Sequence, residues 1–196
     1  MTSIHRRRTV IALYVIFFFL CTGLIGVLWD FIWWHRYVGR DTFFILPHNF
    51  LYASMLINLI ISLSMWLVER SSLWRKMSIA LLLPPIAGPI DEIYHTVIFR
   101  EDPASVWAFW SPAHLMLAWS FLLMFLFSLF AMRRIENFRG RYYMETMLWS
   151  FVIFDLFAQL RPVMPTGTIY QTLGFWGTGP LVFVTIFMLL TAQFYT

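Results

Sequence analysis

Four of the five histidines in this 196-residue chain fall into two similar stretches. The first reads Asp30-Phe31-Ile32-Trp33-Trp34-His35, then Gly39-Arg40-Asp41 and Pro47-His48-Asn49. The second reads Asp91-Glu92-Ile93-Tyr94-His95, then Arg100-Glu101-Asp102 and Ser111-Pro112-Ala113-His114. Each offers a carboxylate, an imidazole, a short connection with Arg and acid, and a second imidazole beside proline. A carboxylate and two imidazoles can close three positions around a transition metal. Imidazole suits copper, zinc and iron, and the carboxylate offsets the cation's charge.

Asp91 and His95, four apart, share one helix face about a turn from each other. Asp30 and His35 are five apart, roughly 140° of rotation, so the first copy needs unwinding at Trp33-Trp34 or a π-bulge. The candidate ligands are Asp91, His95 and His114, which are also the candidate catalytic set, and Asp30, His35 and His48. Asp41, Glu92 and Asp102 stand beside them in supporting positions. Each feature also has a plainer reading. Histidines at span ends serve as interfacial hydrogen-bonders, Asp-His pairs serve as structural clamps, and Arg40-Asp41 and Arg100-Asp102 as surface ion pairs of little weight. The recurrence of the whole pattern favours metal.

The elements that must hold these residues are membrane helices. Hydrophobic residues make up 60% of the chain and charged ones 12%, in apolar runs separated by short charged segments. That pattern predicts an all-α polytopic membrane protein in one transmembrane domain, residues 1–196. Six segments reach spanning length: 9–35, 48–68, 77–99, 112–132, 142–160 and 173–194. Residues 9–68 and 77–132 form two tandem helical hairpins, with the histidine stretches at the joined ends. Helices five and six, 142–194, carry Asp155, Arg161 and Pro162 at comparable places but no histidine. Pro84-Pro85 and Gly88-Pro89 predict a kink or break in the third span, close enough to Asp91 to aim it and His95 into the bundle.

Charge sets the orientation. With the N-terminus inside, ten basic residues lie on inner segments (the run Arg6-Arg7-Arg8 among them) and four, Arg36, Arg40, Arg100 and Arg161, on outer ones. Both termini are then cytoplasmic and both histidine stretches face outward. The basic start followed by a long apolar run without a small-residue cleavage site reads as a retained signal anchor. The pI of about 9.5 reflects this membrane positioning rather than nucleic-acid binding. Cys21 is the sole cysteine, which excludes a disulfide framework and a dithiolate copper site. No GxGxxG, P-loop, GxSxG or HExxH occurs. Trp29, Trp33, Trp34, Trp107 and Trp110 suit an interfacial aromatic belt.

These stretches resemble the C subunit of the copper membrane monooxygenases, which oxidise methane, ammonia or short hydrocarbons. That subunit repeats an Asp or Asn, a His after three residues, and a further His after about a dozen, at the mouths of membrane helices. Asp91 to His95 matches the acid-x-x-x-His element, and Ser111-Pro112-Ala113-His114 is similar to its proline-bearing second half. His35 and His48 have the expected twelve residues between them, and the connection from Arg40-Asp41-Thr42 to Pro47-His48 is similar too. The chain departs in having four residues between Asp30 and His35, eighteen between His95 and His114, and Asp91 where Asn is frequent. The matched stretches cover about a third of the chain.

The resemblance implies one copper site at Asp91, His95 and His114 and a second at Asp30, His35 and His48. It further implies oxygen-dependent oxidation of a small apolar substrate, beside other membrane subunits in the lipid bilayer. The residues also admit a non-catalytic metal-binding membrane protein for storage, sensing or delivery, a haem b anchor using histidine pairs, or a purely structural bundle.

Overall fold

A computed structural model describes residues 3–30, 44–98, 111–135 and 141–160. The elements are α1 (Ser3–Trp29), α2 (Leu46–Glu69), α3 (Ser72–Ala80), α4 (Leu83–Ile93) with a π-helical turn at Tyr94–Ile98, α5 (Pro112–Arg133) and α6 (Arg141–Leu160). The described residues are all-α, with no strand among them. Among the described residues three helices are long and apolar enough to cross a membrane: Ile4–Trp29, Leu46–Glu69 and Pro112–Arg133. They correspond to the first, second and fourth expected spans. The fifth segment is helical as α6, and the sixth, 173–194, lies outside the described residues.

The helices are apolar on both faces, as a lipid-exposed bundle requires. In α1, buried Leu13, Ile16 and Leu20 are offset from exposed Ile11, Phe18 and Ile25. The buried face packs with Leu51, Met55 and Leu59 of α2 and with Phe121, Phe125 and Leu129 of α5 in one core. The backbones of α1 and α2 approach closely at Gly26. A Cβ there would stand 2.9 Å from the Pro47 carbonyl oxygen and 3.0 Å from the Leu51 nitrogen. Only a residue without a side chain lets these two backbones approach so closely.

The third segment is a broken helix: α3 stops at Ala80 and α4 resumes at Leu83. In a continuous helix the Ala80 carbonyl would accept from the nitrogen at position 84, but Pro84 has none to give. Placing Pro84 in the first turn of α4 makes that missing N–H harmless. The orphaned carbonyl is recovered by α5, whose buried Ser120 donates its hydroxyl to Ala80 at 2.8 Å. The expected irregularity therefore falls just upstream of the prolines.

At the end of the hairpin away from the histidines, Glu69 closes α2. Its carboxylate accepts from the Thr9 hydroxyl at 2.8 Å and from the indole N–H of Trp74 at 2.9 Å. That one side chain ties α1, α2 and α3 together.

Candidate metal centre

Both proline-flanked histidines occupy the third position of a helix. His48 follows Leu46 and Pro47 in α2, and His114 follows Pro112 and Ala113 in α5. Ser111 is the N-cap of α5, and its side chain accepts from the His114 backbone N–H at 3.1 Å. The cap fixes the backbone that carries the imidazole, which gives Ser111 a positioning part. In α2 the cap residue is Ile45, which makes no side-chain bond, and Pro47 sets the entry instead.

The acids sit where the preceding helices change pitch. Asp30 carries π-helical backbone directly after α1 ends at Trp29, and Asp91 lies in the last turn of α4 before the π-helical turn at Tyr94–Ile98. Widening the helix there admits an extra residue per turn, a feature frequent at functional sites.

Each acid meets the histidine of the next long helix. His48 Nε2 stands 3.0 Å from Asp30 Oδ2, and His114 Nε2 stands 3.3 Å from Asp91 Oδ1. Asp30, His48 and Asp91 are buried, while the His114 side chain retains 28% exposure. An imidazole partner offsets the cost of burying a carboxylate. The acid also approaches the N-terminal turn of the helix bearing the histidine, where the macrodipole favours negative charge. His48 packs edge-to-face on Tyr52, with ring centroids 6.3 Å apart.

The structure thus brings together Asp30 with His48 and Asp91 with His114. His95 lies in the π-helical turn, but its side chain is outside the described residues, as are His35, Asp41 and Asp102. Glu92 is half-buried, and its backbone carbonyl accepts from the Thr96 hydroxyl at 2.6 Å.

The donor chemistry of the pairs can accommodate a metal in two ways. Ligand bonds of about 2.0–2.2 Å put two neighbouring donors roughly 2.9–3.5 Å apart, the range in which both pairs fall. Alternatively, in the hydrogen-bonded Asp30–His48 pair, an Nε2–H donated to the carboxylate leaves Nδ1 as the ligating nitrogen, the order found in carboxylate–histidine–metal triads. Each pair supplies one carboxylate and one imidazole. Among the described residues no three His, Cys, Asp or Glu side chains gather as a metal-binding group.

The correspondence between the two stretches runs further than their ionisable residues. Leu13, Ile16, Leu20, Gly23, Gly26 and Asp30 are all buried, and so are Trp74, Met77, Leu81, Pro84, Ala87 and Asp91, each 61 positions later. On the following helices, His48, Ser54 and Ser62 stand 66 positions before His114, Ser120 and Ser128, and all four serines are buried. Fixed-offset comparison of the sequence carried this signal, but serines inside apolar runs draw no attention when read singly.

Comparison of the chain with protein families, curated proteins and solved structures finds no match.

Proposed function

We propose that this chain is a six-span membrane protein built on a repeated helical hairpin, and that it binds copper as a subunit like the C subunit of copper membrane monooxygenases. The observation that carries the reading is the twofold recurrence of one arrangement: an acid at a helix end against a histidine in the third position of the next long helix. The matching offsets in burial support the repeat. The excess of basic residues on alternate connections supports cytoplasmic termini with the histidine ends facing outward.

In this reading Asp91, His95 and His114 hold the metal that serves the reaction, and Asp30, His35 and His48 hold a second. Asp41, Glu92 and Asp102 support them. Copper at such a site supplies redox chemistry for oxygen-dependent oxidation of a small apolar substrate. The chain's own contribution is positional. Asp30 and Asp91 orient the imidazoles and balance charge, and the apolar helices around them restrict water. Partner membrane subunits complete the enzyme. Zinc and iron are the other metals this donor set suits.

The test is metal content in lipid nanodiscs, for the wild type and for His95→Ala/His114→Ala, with copper EPR on the same samples. Stoichiometric copper that is lost in the double variant is expected. A wild type that takes up no metal under copper- and zinc-replete conditions would remove the reading. A second reading is a non-catalytic protein whose Asp-His pairs latch the hairpins, favoured by the direct 3.0 Å contact of buried His48 and Asp30. Bound copper without oxygen consumption in the presence of partner subunits would favour storage or delivery instead.

A further inference from the structure

Asn58 lies at the middle of α2, thirteenth of its 24 residues, and is fully buried. Neither its side-chain nitrogen nor its side-chain oxygen meets a hydrogen-bond partner among the described residues, and the same holds for the hydroxyls of Ser62 and Ser128. Other serines in the same helix behave differently: Ser54 and Ser64 donate to the Phe50 and Ile60 carbonyls one turn back. Ser62 could do the same at no cost in chain geometry, yet its hydroxyl stays off the helix backbone.

Asn58 and Ser62 lie one and two turns beyond a junction of three helices. A Cβ on Gly23 of α1 would touch Ser54 of α2 and the ring of Phe121 of α5, each at 3.3 Å, so the three helices meet there. Asn58 and Ser62 continue the buried face of α2 from Ser54. Residues one turn apart have Cβ atoms about 5–6 Å apart, the span that a single bridging molecule closes with two hydrogen bonds. An amide and a hydroxyl left dry in the middle of an apolar helix would be strongly disfavoured.

We propose that Asn58 and Ser62 form an internal water-binding site on the buried face of α2, below the Asp30–His48 pair. Water fits the donor set: the amide offers two donors and an acceptor and the hydroxyl offers both, within the two to four bonds a buried water makes. The site does not depend on the metal reading.

The experiment uses the full chain in nanodiscs. In ¹⁵N-asparagine-labelled wild type, the Asn58 side-chain amide should receive magnetisation from water in a water-edited spectrum, with Asn58→Leu used to assign its signal. Ser62→Ala, which removes one partner of the bound water, should weaken that transfer severalfold. An Asn58 amide that receives no magnetisation from water, or a transfer unchanged in Ser62→Ala, would overturn the proposal.

Discussion

His48, the third residue of α2, holds Nε2 3.0 Å from Oδ2 of Asp30, the residue that follows α1. Both side chains are buried, so the contact is formed away from bulk water and has little solvent screening. Removing the imidazole leaves a buried carboxylate short of its partner. His48→Ala should therefore destabilise the protein by about 3–5 kcal/mol. Adding Asp30→Ala removes the stranded charge, so the double variant should lose less than the sum of the single losses. Equilibrium unfolding in mixed micelles measures this coupling, and strict additivity would show that the two groups act independently.

Gly26 lies one turn before Asp30 and lets the hairpin close. A methyl group there meets backbone atoms, the Pro47 oxygen at 2.9 Å and the Leu51 nitrogen at 3.0 Å, and backbone cannot rotate away. Gly26→Ala should cost about 1–3 kcal/mol by forcing α1 and α2 apart. It should also loosen the Asp30–His48 contact, because Pro47 and His48 are adjacent. Gly23→Ala should cost less, since its nearest neighbours are side-chain atoms of Phe121 and Ser54 at 3.3 Å. Thermal unfolding of the two variants side by side checks the order.

Hydropathy made the α-class and the long helices α1, α2 and α5 legible, because twenty apolar residues in a row have few other uses. The break in the third segment was legible too, since Pro84 removes a donor wherever it sits. Its location before the prolines follows from where that donor would have bonded, four residues earlier. Which acid meets which histidine was harder. Helical periodicity links Asp91 to His95, both on one element, whereas the contact to His114 depends on how α4 packs against α5. Local spacing does not contain that information. Asn58 is an amide in the middle of an apolar run, and its lack of a partner among the described residues is a property of packing that the run does not announce.

Pro84 and Ser120 should be coupled across the helix break. Ser120→Ala leaves the Ala80 carbonyl without the hydroxyl that now serves it at 2.8 Å, an expected loss of about 1–3 kcal/mol. Pro84→Ala restores a backbone N–H at the position that would serve the same carbonyl in a continuous helix. In that background Ser120→Ala should be close to neutral. Continuity would also redirect α4 and carry Asp91 away from His114, so retention of the proposed metal at that pair should fall even as the backbone is repaired. A thermodynamic cycle over the two positions, with metal content measured in parallel, tests both parts; an undiminished loss on Ser120→Ala in the Pro84→Ala protein would dissociate the two residues.

The two Asp-His pairs differ in access, which gives their proposed metals different lifetimes. The His48 side chain is 10% exposed and that of His114 28%, while both partner carboxylates are under 10%. A soluble chelator added to copper-loaded nanodiscs should therefore remove metal in two phases, the faster from Asp91–His114. His114→Ala should abolish the fast phase and leave the slow one, and His48→Ala should do the reverse. Conservative changes refine the test: Asp91→Asn keeps the size of the side chain but removes the charge that balances the cation, so the fast phase should quicken rather than vanish. A single phase lost in either histidine variant would mean that the two pairs share one metal.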